Sequence, residues 1–305
     1  MSIYHRSALW DRLNQIAPLG LAGSWDNVGV LLDPPIYSES VGELRAMKDE
    51  RILLTIDLTE EVFEEAIQGR FTTIVTYHPI IFSGLKRLTQ ENSQTRTLLR
   101  ATQAGVGIYS PHTALDAVTG GVCDWLASIL MVSEDRDVNL SAVRQISERI
   151  GESYLAIEPS DEKGVEGAGR QFELANSINL ELLCKRLNSR LKATGAQGEK
   201  IYLRTVTPRG APVSSMEIKS IALCPGAGGG LFKSLSQVDL LITGEMSHHD
   251  LLARAQSGTA VILTEHSRCE RGALPIYAQS IREHTGAYVE CSKVDDDPLR
   301  LYQTT

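Results

Sequence analysis

The chain contains seven histidines, and five of them stand just after an apolar run. His78 follows "TTIVTY", His112 follows "VGIYSP", His248 and His249 follow "DLLITGEMS", and His266 follows "AVILTE". Two of these have a carboxylate four residues on, Asp116 in "HTALD" and Glu270 in "HSRCE". Imidazole nitrogen with carboxylate oxygen is the donor mixture suited to zinc, iron or manganese. A single histidine or aspartate after a strand ordinarily caps a helix or satisfies a loop backbone. Separate strand ends delivering both donor types to one sheet edge point instead to a shared site, because ligands of open α/β sheets bind beyond the C-terminal ends of the strands.

The segment "ILTEHSRCERGALP", residues 262–275, tests that reading, since Ser267-x-x-Glu270 is also the signature of a helix capping box. A helix begun after Ser267 would carry Pro275 in its interior, where the lost hydrogen bond and the ring clash cost about 3 kcal/mol or more. Gly272 would weaken it further. A regular helix starting near Ala273 to Pro275 keeps the proline in the first turn, where it is tolerated, and leaves 266–270 as a loop at the strand end. That arrangement favours His266 and Glu270 as ligands, with a single capping turn followed by a kink as the alternative. At the other strand end, Pro79 pushes His78 toward extended geometry.

Two further stretches carry polar chemistry. The loop "CPGAGGGLF" places Gly226, Gly228, Gly229 and Gly230 between a strand and an expected helix. Its amides could cradle an anion such as phosphate. The same glycines would equally serve a tight turn with close packing, and both readings stand. Neither the Rossmann fingerprint nor the Walker P-loop is completed. "SWDNVGVLLD" places Trp25, Asp26 and Asn27 before an apolar run and reads as a turn with an anchoring, structural aromatic.

Elements of alternating type must position these groups. "RILLTI" precedes "EEVFEEAIQ", "TTIVT" precedes "SQTRTLLRATQAG", and "GIYS" precedes "GGVCDWLASIL"; later "SIALCP", "DLLIT" and "AVILTE" precede further helical stretches. This β-α alternation predicts an α/β protein of two related lobes with mostly parallel, mixed sheets. We assign residues 1–132 to an N-terminal lobe and 133–305 to a C-terminal lobe, in which 133–214 is a variable middle segment. That segment carries acidic and Gly-rich turns such as "SEDRD", a helix near 178–191, and strands near "SYLAIE", "RQFELA" and "KIYLRTV". The N-terminal "MSIYHRSALWDRL" has helical spacing with mixed charge, an amphipathic helix and not a signal peptide.

Bulk properties narrow the function classes. At 305 residues, with 42% hydrophobic and 22% charged residues, the chain has ordinary globular composition and enough length for a sizeable core. No stretch approaches the roughly 20 apolar residues of a membrane helix, so no membrane partner is expected. A net charge of −8 with no dense Lys/Arg run disfavours direct nucleic-acid binding. Five scattered cysteines without a C-x-x-C pair argue against a disulfide framework and fit reduced thiols in a cytoplasmic protein.

With these motifs in hand, the chain resembles the Nif-three-like family (Ngg-one-interacting factor three). "SWDNVGVLLD", "LLTIDLTEEVFEEA", "TYHPIIFSGLKRL", "HTALDAVTGGVCDWLA", "DLLITGEMSHHDLLAR" and "TEHSRCERG" fall in its order and spacing, most similar to the eukaryotic-type branch. The resemblance covers nearly the whole chain and is weakest over 133–214. Bacterial members often carry the label GTP cyclohydrolase 1 type 2 homologue, although nothing in this chain recognises guanine. The resemblance implies a homohexamer of two-lobed protomers, with a metal cleft between the lobes and one or two divalent ions (Zn, Fe or Mn) per chain. By motif it implies His78, Asp116, His266 and Glu270 as ligands, with His112 and His249 as site-lining groups for proton transfer. The first histidine of the family's His-His pair is Tyr77 here, and a phenol is a poor neutral ligand for such ions, which puts a second metal in question.

Two functions fit. One is metal-assisted hydrolysis of a nucleotide-like or phosphate-bearing small molecule, with the ion generating a nucleophile from water and the Gly226–Gly230 loop holding a phosphate. The other is a non-catalytic metal-binding adaptor that presents surfaces to protein partners and keeps its metal for stability or delivery.

Overall fold

A computed structural model describes residues 3–4, 6–37, 50–132, 138–192 and 203–299. The contacts divide the chain into two compact units, the first comprising 1–115 with 274–295, the second 116–273 with 296–305.

The first unit is built on a five-stranded sheet in the order Tyr288–Cys291, Arg51–Thr55, Thr73–Thr76, Gly107–Ser110, Gly29–Leu32. The first four strands run parallel, and Gly29–Leu32 closes the edge antiparallel. Thr73–Thr76 and Gly107–Ser110 are buried along their whole length, which is why they read as short continuous β-forming runs. Between strands, the helix Glu60–Gln68 starts on Thr59, whose side chain accepts from the Val62 amide, and Glu60 and Glu61 favour its positive end. The helix Ser93–Ala104 starts on Asn92 in the same way and stops at Gly105, a left-handed C-cap with φ 69°. Their inner faces bury Val62, Phe63, Ala66, Leu98 and Ala101 against Leu53, Ile74 and Ile108 of the sheet.

The second unit has its own five-stranded sheet, ordered Arg204–Val206, Ala260–Leu263, Leu240–Thr243, Glu217–Cys224, Arg170–Asn179. The three central strands are parallel and both edges antiparallel. Ala222, Phe232, Val238, Leu241 and Val261 pack together on it. Beneath lies a charged hub: Arg170 Nε meets Asp124 Oδ1 at 2.7 Å with both side chains fully buried. Asp124 also accepts from the Tyr154 hydroxyl and the Gly120 amide, while Arg170 donates to the carbonyls of Gly167, Gly169, Ala117 and Val118. Burial disfavours charge on Arg170, but Asp124 outweighs it and holds the guanidinium pKa above its ordinary value.

The mixed α/β architecture agrees with the alternating pattern, and in both units the parallel strands are the apolar runs. The division differs from the boundary drawn at 132/133. The first unit ends at Leu115, inside the helix His112–Ala117, and regains 274–295 because Tyr288–Cys291 pairs in parallel with Arg51–Thr55. Strand pairing across such a sequence distance leaves no local trace. The turn "SEDRD" at 133–137 and the start of "KIYLRTV" lie outside the described residues. "SYLAIE" contributes an isolated bridge at Leu155 and a two-residue strand, Glu158–Pro159, in place of a full strand. No described helix is long and apolar enough to cross a membrane.

Candidate metal centre

In the first unit, the chain past Thr76 keeps its pairing. Tyr77 N donates to Thr55 O and His78 N to Ile56 O, so His78 stays extended as its proline neighbour demands. Ser110 Oγ donates to the Tyr77 carbonyl at 2.7 Å. His78 Nδ1 lies 2.9 Å from Asp57 Oδ1. His112 opens its helix at φ 34°, a strained value for a residue with a Cβ, of the kind that persists where surrounding contacts enforce it. Here the enforcing contact is Asp26. Its Oδ1 is 2.8 Å from His112 Nδ1, and its Oδ2 accepts from the Thr113 amide and hydroxyl. The His78 and His112 rings are edge to face with centroids 5.4 Å apart, and buried Tyr77 packs edge-on to both.

Burial pushes the Asp26 carboxyl up, but hydrogen bonds from His112 and Thr113 outweigh it and hold it below the ordinary carboxylate value. A depressed folded-state pKa contributes stability above the unfolded pKa and loses it as pH falls through the folded one. The stability difference between wild type and Asp26→Asn is therefore expected to be constant near neutrality and to shrink below about pH 4. Denaturant melts across pH 2–7 check this; a difference that does not change with pH would count against it.

In the second unit, Ala260–Leu263 is followed by Glu265 at φ 68° and then by His266. His266 Nε2 faces Glu270 Oε1 at 3.6 Å, and its Nδ1 lies 2.9 Å from Glu245 Oε1. Glu270 is almost wholly buried, His266 half-buried. The backbone opposite is Gly226, at φ 60°, where a Cβ would stand 2.6 Å from Glu270 Oε1 and 3.2 Å from His266 Nε2. Glycine there gives both the conformation and the space for these two side chains.

The capping-box reading of 267–270 is excluded. Ser267 makes no cap hydrogen bond and donates instead to Asp297 Oδ2, while the Glu270 carboxylate turns to His266. In place of a loop, Arg268–Arg271 forms a single helical turn, the alternative left open, though without a side-chain cap; the regular helix Leu274–Thr285 starts where expected and holds Pro275 as its second residue. The turn brings Glu270 back to 3.6 Å from His266, the residue that precedes its N-cap Ser267.

The Duf34/NIF3 (NGG1p interacting factor 3) family pattern matches residues 4–298. The chain belongs to this family. Its relatives include the fission-yeast (Schizosaccharomyces pombe) NIF3 homologue, 38% identical over an aligned length of 286 residues, with 92% of this chain and 91% of that protein covered. Another is NGG1-interacting factor 3 of Saccharomyces cerevisiae, 36% identical over 91% of this chain and 90% of its own length. In fold the chain is similar to a Bacillus cereus protein related to NIF3, with TM-score 0.72 at 16% identity over 99% of this chain and 100% of that one. The expected family and its eukaryotic-type branch thus stand together.

Against this NIF3 background the remaining site residues separate. Asp116 belongs to the second unit and adds to the upward push on the thiols of Cys123, Cys224 and Cys269, burial being the larger cause. Both causes favour the neutral thiol at these cysteines. His249 is exposed on the first turn of His248–Gln256 and meets His248 edge-on, with no carboxylate behind it among the described residues. Of the glycine loop, the Gly226 amide donates to Cys269 Sγ and the Gly228 amide to Thr243 Oγ1. The expected helix after it is a short 3-10 turn, Leu231–Ser234, that starts on Gly230, and two of the loop amides are engaged internally. Asp57 and Glu245, the carboxylates behind His78 and His266, went unread in the sequence. Both follow apolar strands, "RILLTID" and "DLLITGE", so the rule that found the histidines would have found them too.

Proposed function

We propose that this NIF3-family chain is a divalent-metal-dependent hydrolase of a nucleotide-like or phosphate-bearing small molecule, its ion held by the neighbouring His266 and Glu270, with His78 and Asp116 as the further ligands that the family resemblance implies. One pattern carries the reading. His78, His112 and His266 each have Nδ1 against a carboxylate, Asp57, Asp26 and Glu245 respectively. A carboxylate that accepts the Nδ1 proton puts the lone pair on Nε2, the arrangement found behind metal-ligating histidines. The His266–Glu270 separation of 3.6 Å is too long for a hydrogen bond and close to the ~3.4 Å between two ligands of one tetrahedral ion with bonds of about 2.1 Å. The donor set of imidazole and carboxylate fits zinc, iron or manganese.

Bound there, the ion would supply Lewis acidity and make water acidic enough to act as a nucleophile near neutral pH. The chain's own groups do the rest. Asp57 and Glu245 fix the tautomer and ring plane of His78 and His266. Asp26 fixes His112, leaving its Nε2 as the proton-transfer atom; His249, exposed and unbacked, is the weaker candidate for that role. Gly226 keeps the space at Glu270 open. Glycines 229 and 230 are the part of the loop on which a phosphate contact still rests.

The name of the budding-yeast relative, an interacting factor, favours a second reading, a metal-holding adaptor with protein partners. Assembly into a homohexamer and a cytoplasmic location, the latter consistent with five free thiols, belong to the same proposal. Light scattering tests the assembly.

Elemental analysis of tag-free, anaerobically purified protein decides the metal. About one or two ions per chain are expected, lost in Glu270→Ala and raised in Tyr77→His. Metal-free wild type after reconstitution would end the proposal. Metal present without turnover on nucleotides, phosphodiesters or cyclic amides would select the adaptor.

A further inference from the structure

Trp25 is the most exposed large apolar side chain among the described residues, at 65%, and Phe82 beside it is 52% exposed. Their ring centroids are 6.1 Å apart, and both lie edge-on to the His112 imidazole, at 6.3 and 6.4 Å. A structural anchor would be buried. This one is exposed yet supported: a Cβ built on Gly23 would stand 2.9 Å from the indole Nε1 and 3.0 Å from Cε2, so the indole rests against the Gly23 backbone.

The support is rigid. The Gly23 amide donates to Thr113 Oγ1, Asp26 is locked to His112 and Thr113, and Asn27 Nδ2 donates to the Ile81 carbonyl, tying the Trp25 loop to the Phe82 loop. Such pre-ordering lowers the entropic cost of binding. The two rings are tilted by 56°, not parallel, and lie closer than the roughly 7 Å a sandwiched third ring requires. They form an open platform with an edge. Its exposed area, roughly 250 Å² for two such side chains, is that of one heterocycle and well short of the ~800 Å² per partner of a stable protein interface.

We propose that Trp25 and Phe82, juxtaposed beside His112, form a stacking subsite for a planar nitrogen heterocycle such as a nucleobase. The inference deepens the hydrolase reading by naming the substrate class, yet stacking itself needs no metal, so the two can fail separately.

Calorimetric and fluorescence titrations of the full chain, with and without chelator, test it using adenosine 5′-monophosphate and ribose 5-phosphate as probes. Trp10 and Trp125 are buried, so ligand-dependent quenching reports Trp25. The nucleotide is expected to quench emission saturably in both metal states and to bind more tightly than ribose 5-phosphate. Trp25→Leu and Phe82→Leu, both at exposed positions, should each lower nucleotide affinity roughly tenfold while leaving ribose 5-phosphate unchanged. Gly23→Ala should lower it as well, by displacing the indole, with emission retained. Equal affinity for the two probes, unchanged affinity in both leucine variants, or emission that follows protein concentration instead of ligand would each overturn the subsite. The last result would assign the pair to a contact between copies. Loss of metal-dependent turnover with stacking intact would sink only the hydrolase reading.

Discussion

Arg170→Met is expected to lower the unfolding midpoint by about 6–20 °C. Removing one partner of a buried ion pair costs about 3–5 kcal/mol, because the remaining charge has no solvent to turn to. Each kcal/mol shifts the midpoint of a unit this size by about 2–4 °C. Asp124 would be left fully buried with only the Tyr154 hydroxyl and the Gly120 amide, and the carbonyls of Gly167, Gly169, Ala117 and Val118 would lose their donors. The double variant Arg170→Met/Asp124→Leu should recover a large part of the loss, since the uncompensated charge is gone. The recovery is incomplete, as Tyr154 and Gly120 then lack their acceptor. A double-mutant cycle by thermal melts measures the coupling. A single-variant shift of only a degree or two would show that water reaches the hub. Because Arg170 grips the carbonyls of Ala117 and Val118, directly after Asp116, the single variant should also lower metal content at temperatures where it remains folded.

The second large effect separates a ligand from the group that orients one. Glu270→Gln is expected to abolish metal retention, while Glu245→Gln should cost about 10–100-fold in metal affinity, the usual penalty for losing the carboxylate behind a ligating histidine. The stability consequences run differently. Glu245 is 61% exposed, so its amide variant should melt within about 0.5 kcal/mol of wild type. Glu270 is 3% exposed, and its variant isolates chemistry from volume because glutamine is isosteric. Competition with a fluorescent chelator reads both affinities. Wild-type affinity in Glu245→Gln would make the Glu245–His266 contact an incidental surface pair.

Much of this protein was legible in one dimension. Parallel strands are buried on both faces, so they appear as unbroken apolar runs, and the polar residue ending each run announces where the ligand edge lies. That is how His78, His112 and His266 could be singled out. Pro275 ruled out a long helix from Ser267, whereas the approach of 266 and 270 needed the helical turn Arg268–Arg271, because four residues of extended chain would hold them far apart. Family membership also followed from motif order.

What belonged to tertiary structure was the partnership of groups distant in the chain. Asp26 meets His112 across 86 residues, and Asp57 with His78, like Glu245 with His266, across 21. Those pairings depend on strand register and loop path, which no local pattern encodes. The same holds for the Asp124–Arg170 hub, for Tyr288–Cys291 rejoining the first sheet, and for Gly226, whose missing side chain matters only because Glu270 and His266 stand opposite. Trp25 shows the limit most plainly. Its type suggested a structural anchor, but burial is a property of what surrounds a residue, and here the indole is 65% exposed.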